Sequence, residues 1–440
     1  MTDGQFHVNL SLMTPGQLRT AWRLPGHDPL AYLDIDHFIR LAHIAEDASA
    51  DAVFVGDSPA LRGEITDAPG TGLDPLVLLG HLAAVTGNLG VIATSSTTYN
   101  SPYNLARRFQ ALDHVTKGRA AVNIVTTHNP AAAANFGLGA EPDKETRYRR
   151  ADEFLDVVTG LWDSWGPDWY LGDAASGRFA DADEIHRIDH HGEFFSVAGP
   201  LPVPPGPQGR PVIVQAGGSE GGRNLAGRYA DVVFTVAQTL ETAVAFREDI
   251  RHRAVDAGRD GDAVKISLGV VVIVGDTEQD ARDRARDLFA TLPIEDLSAR
   301  LVRGLGLDPG RVGPDDPVHA TELPAELPDA PGGSTGFGAS TRDLVIRASA
   351  AGRPVTPRDL VERSAGGAGH RLVVGTPEQI ADDLETWFRA GAADGFTVMF
   401  ADTAVDFERF ATRVIPVLQD RGLFHRGYPA RTLRERLGLG

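Results

Sequence analysis

The run Val212-Ile213-Val214-Gln215-Ala216-Gly217-Gly218-Ser219-Glu220-Gly221-Gly222-Arg223 has the residue types of an anion site. A buried-strand pattern ends at Gly217 and Gly218 and a helical one begins near Ser219, so small residues leave backbone N–H groups and one hydroxyl uncovered. The helix dipole and unpaired amides there favour a phosphate without needing a lysine. An ordinary glycine-rich turn with Ser219 as helix cap accounts for the same residues. Three other apolar runs end in polar side chains. Ala52 to Gly56 meets Asp57-Ser58, Leu89 to Ala93 meets Thr94-Ser95-Ser96-Thr97-Thr98, and Val122-Asn123-Ile124-Val125 meets Thr126-Thr127-His128-Asn129. Helix capping explains any one of them taken alone. Of 14 histidines, two stand near such run ends: His128, after the fourth run, and His370, just before Arg371-Leu372-Val373-Val374-Gly375. Either is placed to supply or withdraw a proton, although a lone histidine is commonly structural.

Metal chemistry is not expected. The chain has no cysteine, which removes thiolate sites and disulfides, and His190-His191 with Glu193 lacks the helical spacing of H-E-x-x-H. Asp+Glu 60 against Lys+Arg 42 leaves a net charge of −18, which repels phosphate backbones and argues against a nucleic-acid partner. Met1-Thr2-Asp3-Gly4-Gln5 lacks the basic and apolar parts of a signal peptide, and the longest apolar tract is interrupted by Asp74, His81 and Asn88. A soluble, cytoplasmic protein with no membrane partner is expected.

The elements that must position these residues follow a repeated βα rhythm. Eight β-rich runs occur: Phe6 to Leu10, Ala52 to Gly56, Leu89 to Ala93, Ala120 to Val125, Pro211 to Gln215, Asp231 to Thr235, Ile266 to Val274 and Gly395 to Phe400. Several are apolar nearly throughout, as strands covered on both faces must be. Amphipathic segments lie between them, including Phe154, Leu155, Val158, Leu161 and Trp162 on one face, and Ile380, Leu384, Trp387 and Phe388 on another. Eight strands without a glycine fingerprint after the first favour an α/β fold of the (β/α)8 barrel type over an open sheet. Gly304-Leu305-Gly306 and Gly336-Phe337-Gly338 follow no strand and read as loop glycines. We expect one domain over 1–440, with insertions at 164–210 and about 291–369 that cover the active site. In such barrels chemistry sits at the carboxyl ends of the strands. Trp22 and Arg23, after the first strand, either wall a substrate pocket or pack at the surface.

Ordered matches along nearly the whole chain resemble the bacterial-luciferase-like flavin monooxygenases. The resemblance is to the branch with the nitrilotriacetate, dibenzothiophene-sulfone, dimethyl-sulfide and long-chain-alkane enzymes. They include Ala21-Trp22-Arg23, Asp51 to Asp57, Asn100 to Phe109, Asn123 to Thr127, Asn135-Phe136-Gly137, Arg147-Tyr148, Gln215 to Gly222, Gly375 to Gln379 and Gly391 to Phe396. The resemblance implies a luciferase-like TIM barrel that binds FMN as FMNH2. Asp57, Thr94, Asn123, Tyr148, Gly218 and Ser219 would then stand at flavin-contacting positions. The family usually has a histidine four residues before the tyrosine; Lys144 occupies that place here, where an ammonium can pair with phosphate but is a poorer acid–base group than imidazole.

The implied activity is a two-component monooxygenase. FMNH2 comes from a separate NAD(P)H:FMN reductase, O2 adds at flavin C4a, and one oxygen atom passes to a small organic substrate, with His128 or His370 managing the proton. A homo-oligomer is also implied. Two alternatives stand beside it: a deazaflavin-dependent hydride-transfer oxidoreductase of the same superfamily, and a flavin-binding protein without catalysis.

Overall fold

The computed structural model describes all residues except 1–3, 62–64, 67, 71, 326–334, 365–368 and 440. Eight parallel strands close into a barrel: β1 (His7–Ser11), β2 (Ala52–Val55), β3 (Gly90–Ser96), β4 (Ala120–Val125), β5 (Val212–Ala216), β6 (Val232–Thr235), β7 (Lys265–Val274) and β8 (Gly395–Phe400). Each strand pairs with its neighbour in sequence order, and β8 returns to β1 through His7 opposite Gly395 and Asn9 opposite Thr397. All eight runs expected from the sequence are strands of this barrel. A ninth strand, Arg371–Gly375, pairs with the upper half of β7 from Val270 to Val274.

The strands are apolar on both faces because both are covered. Val8, Leu10, Val53, Val91, Val122, Ile213, Val270 and Phe396 belong to the main core shared with the surrounding helices. Ala52, Ile92, Ala121, Val212, Val214 and Val232 pack instead with Leu433, Leu437 and Leu439 of the C-terminal segment. That segment closes the end where the strands begin: Leu433 N–H donates to Gly118 O, just before β4, at 2.9 Å. Leu433→Ala should therefore cost about 2–5 kcal/mol, read as a lower midpoint of urea unfolding.

The same end carries a repeated clip. Asp51, Asp231 and Asp394 each directly precede a strand and accept an N–H from the strand before it. The donors are Val8 at 2.8 Å, Ile213 at 2.9 Å and Ile266 at 2.9 Å. Each carboxylate has a cationic or imidazole partner as well: His425 at 3.0 Å on Asp51, Arg434 at 2.9 Å on Asp231 and Arg247 at 2.6 Å on Asp394.

Two long segments interrupt the rhythm. The first forms the hairpins Tyr170–Asp173 with Arg178–Ala180 and His190–His191 with Ser196–Val197. The second contains helices Ile294–Gly304, Thr335–Ala350 and Pro357–Arg363. Leu301, Leu305, Val318, Val345 and Leu360 give it a core of its own. Gln238 Nε2, in the loop after β6, donates to Gly369 O at 2.9 Å and ties this segment to the barrel. The loop reading of the two glycine pairs is corrected in part: Gly304 ends one of these helices while Gly306 lies past it with a φ of 77°, and Gly336-Phe337-Gly338 lie in the first turn of another. No helix among the described residues is long and apolar enough to cross a membrane.

Candidate active site

The carboxyl ends of β2 to β5 bring together most of the polar residues singled out from the sequence. Thr94 on β3 and Asn123 on β4 are adjacent in register. Asn123 Nδ2 donates to Thr94 Oγ1 at 2.9 Å, and both residues are buried. Asn123 Oδ1 is buried with no partner among the described residues, which leaves an acceptor free for an N–H donor. Asp57 stands two residues beyond β2 and is half-buried. Its neighbour Ser58 accepts from Asn129 Nδ2 at 3.4 Å, so the loops after β2 and β4 meet.

The glycine-rich turn after β5 is both a helix cap and a cradle. Ser219 caps helix Glu220–Tyr229, accepting from Gly222 N–H at 3.3 Å, and its hydroxyl donates to the Tyr148 oxygen at 2.8 Å. Arg223 Nε holds the Gly218 carbonyl at 2.9 Å, and Asp249 holds Arg223 at 3.1 Å. With that carbonyl drawn toward Arg223, the planar 218–219 peptide turns the Ser219 N–H the opposite way. The glycines are required by close approach. A Cβ on Gly217 would lie 3.2 Å from the Gly222 backbone, and one on Gly221 would lie 2.8 Å from the Tyr148 ring. Gly221→Ala should push Tyr148 off Ser219 and cost about 1–3 kcal/mol of stability, read as a lower midpoint of urea unfolding.

Tyr148 lies inside helix Lys144–Trp162. Asp143 starts that helix by accepting from Thr146 N–H at 2.9 Å. Lys144 and Tyr148 are thus one turn apart on one face. Lys144 is exposed.

The two histidines are placed differently. His128 is exposed just beyond β4, and its Nδ1 lies 2.8 Å from Glu141 Oε2. Thr127, directly before it, has a φ of 27°, a strained value for a β-branched residue. His370 lies against Phe234, ring centroids 5.7 Å apart, and Phe234 stacks on Phe54 at 6.1 Å. Gly269 makes room, since a Cβ there would fall 2.7 Å from His370 Nδ1. That nitrogen is buried with no partner among the described residues, and burial holds the imidazole down to about 4. His370 is therefore neutral at neutral pH: it can accept a hydrogen bond but carries no acidic proton to give.

Trp22 and Arg23 line a cavity of about 370 Å³ with Thr20, Thr66, Thr291 and Pro293. Arg23 donates to Thr291 O at 2.9 Å, and the Thr20 and Thr291 hydroxyls lie 2.7 Å apart. The start of the second inserted segment thus meets the loops after β1 and β2. Glu141 and Arg223 were not assigned roles from sequence. Glu141 is 13 residues from His128 with no local pattern to mark it; Arg223 was visible only as the end of the glycine run.

A closed parallel barrel with a glycine-rich turn after β5 and polar side chains at its strand ends has the architecture of the barrel enzymes. The model of the luciferase-like monooxygenases matches residues 14–394, and the chain belongs to that family. It is 40% identical to nitrilotriacetate monooxygenase component A of Aminobacter aminovorans, covering 99% of this chain and 96% of that protein. It is 36% identical to N-acetyl-S-(2-succino)cysteine monooxygenase of Bacillus subtilis (strain 168), covering 99% and 97%. The solved EDTA monooxygenase EmoA from Chelativorans sp. BNC1 superposes with a TM-score of 0.81 at 33% identity, covering 99% of each chain. The protein is an enzyme of the flavin-dependent monooxygenase kind.

Proposed function

We propose that the chain is the oxygenating component of a two-component system, binding reduced FMN delivered by a separate NAD(P)H:FMN reductase. The observation that carries this reading is the cradle of Gly217, Gly218, Ser219, Gly221 and Gly222 closed by Tyr148. Its donors and missing side chains fit a phosphate: the N-terminus of helix Glu220–Tyr229 offers amides, Ser219 and Tyr148 offer hydroxyls, and Lys144 lies one helical turn from Tyr148. Asp57, Thr94 and Asn123 would then border the ring, with the free Asn123 Oδ1 accepting from a ring N–H. The flavin, when bound, supplies the two electrons that activate O2, so that one oxygen atom enters the substrate and the other leaves as water.

The chain's own residues fix the cofactor, exclude water and handle a proton. His370 stays neutral and offers an acceptor on the β7 side, and His128, held by Glu141 beyond β4, serves as the base that takes up a proton. The described part of the segment 291–369 covers the mouth, residues 326–334 and 365–368 of the expected cover lying outside the described residues, and the cavity beside Trp22 and Arg23 takes part of the substrate. The names of the relatives support a small organic substrate, and a cytoplasmic reductase pool suits the electron supply. Lys144 in place of the family histidine is read as a phosphate partner.

Anaerobic binding followed by oxygen uptake tests the reading. Reduced FMN should bind and drive substrate-dependent oxygen consumption. Tight binding of a deazaflavin with no oxygen uptake from reduced FMN would reject it in favour of hydride transfer; binding of reduced FMN without any change in its oxidation would reject catalysis altogether.

A further inference from the structure

Glu141 gathers contacts that an exposed loop carboxylate rarely makes. Its side chain is 9% exposed, and its two oxygens divide their work. Oε2 faces His128 Nδ1 at 2.8 Å, and Oε1 accepts the Asn129 N–H at 2.8 Å, with Arg147 NH1 3.7 Å away. Arg147 is itself mostly buried and anchored to the Pro142 carbonyl at 2.6 Å. One carboxylate therefore pins the first two residues after Thr127, at the place where the backbone leaves β4 with a φ of 27°. Strain of that kind persists only where the surroundings over-determine it.

We infer that Glu141 is the positioning residue for His128, holding its imidazole as the Nδ1–H tautomer at the barrel mouth so that Nε2 presents the lone pair. A carboxylate accepts hydrogen bonds, so the nitrogen it faces carries the hydrogen and the opposite nitrogen is left as the base. Among the described residues, the charged and titratable groups around the pair are Arg147, beside Glu141, and the Tyr99 hydroxyl, which is buried with no partner there and feels the charges of both. Arg147 steadies the carboxylate through Oε1, the oxygen that does not face His128 Nδ1. The role rests on the proposed acid–base use of His128, but the tautomer does not.

Long-range proton–nitrogen NMR of the histidine-labelled full chain reads the tautomer directly. Wild-type His128 should show Nδ1 protonated and Nε2 bare, and Glu141→Gln should divide the ring between both tautomers. Reduced-FMN-driven oxygen uptake should fall at least about tenfold in Glu141→Gln, with FMN affinity unchanged, and further in His128→Asn. A bare Nδ1 in the wild type overturns the assignment without any variant needing to fold. A tautomer or rate unmoved by Glu141→Gln, beside a normal loss in His128→Asn, overturns it for Glu141 alone. An undiminished rate in His128→Asn overturns instead the acid–base reading of His128 on which the role depends.

Discussion

Ser219→Asp is expected to weaken FMN binding by at least about a hundredfold while changing riboflavin binding little. Aspartate is as good a helix cap as serine, so helix Glu220–Tyr229 keeps its first turn and the barrel keeps its fold. What changes is the charge in the cradle. Unit charges about 4 Å apart repel by about 4 kcal/mol at an effective dielectric constant of ~20, and a hundredfold loss needs about 2.7 kcal/mol of it. Riboflavin lacks the phosphate and meets no such repulsion. Parallel fluorescence titrations with both flavins decide the matter: unchanged FMN affinity removes Ser219 from the phosphate site.

The largest stability effect should come from the opposite end of the barrel. Asp51 is fully buried, accepts the Val8 N–H at 2.8 Å and pairs with His425 at 3.0 Å. Asp51→Ala leaves a buried N–H and two imidazoles facing a void, a loss of about 3–5 kcal/mol. Burial by itself would raise the carboxyl's pKa; the hydrogen bonds from His425 and His7 outweigh it and hold the group far below the usual carboxylate range. A carboxyl lowered on folding contributes stability above its unfolded value, near ~3.9, and that stability is lost as pH falls toward the folded value. Urea midpoints measured between pH 7 and pH 3 should therefore fall more steeply in the wild type than in Asp51→Asn. Parallel slopes would show that this aspartate does not govern acid stability.

The barrel was legible because its strands are covered on both faces, which makes Ala120 to Val125 or Ile266 to Val274 continuous apolar runs. The turn after β5 was legible because glycines flank Ser219 between an apolar run and a helical one, where close approach leaves no room for side chains. Residues whose partners are assembled from distant segments were not. Leu433, Leu437 and Leu439 meet a lumen built from β2 to β6, and nothing in their own spacing announces it. Gly336-Phe337-Gly338 has the composition of a loop yet sits in a helix. Tyr148 faces Ser219 because helix Lys144–Trp162 begins at Asp143, earlier than the apolar stripe at Phe154 suggests. Glu141 acts across a loop, where neither periodicity nor a cap pattern reports contact.

A crystal structure of the chain soaked with FMN is the most direct measurement. The phosphate should lie among Ser219, Gly221, Gly222 and the Tyr148 hydroxyl, with the ring extending over Thr94 and Asn123. A phosphate seated away from that turn, or a flavin bound outside the carboxyl ends of the strands, would contradict the assignment of the site.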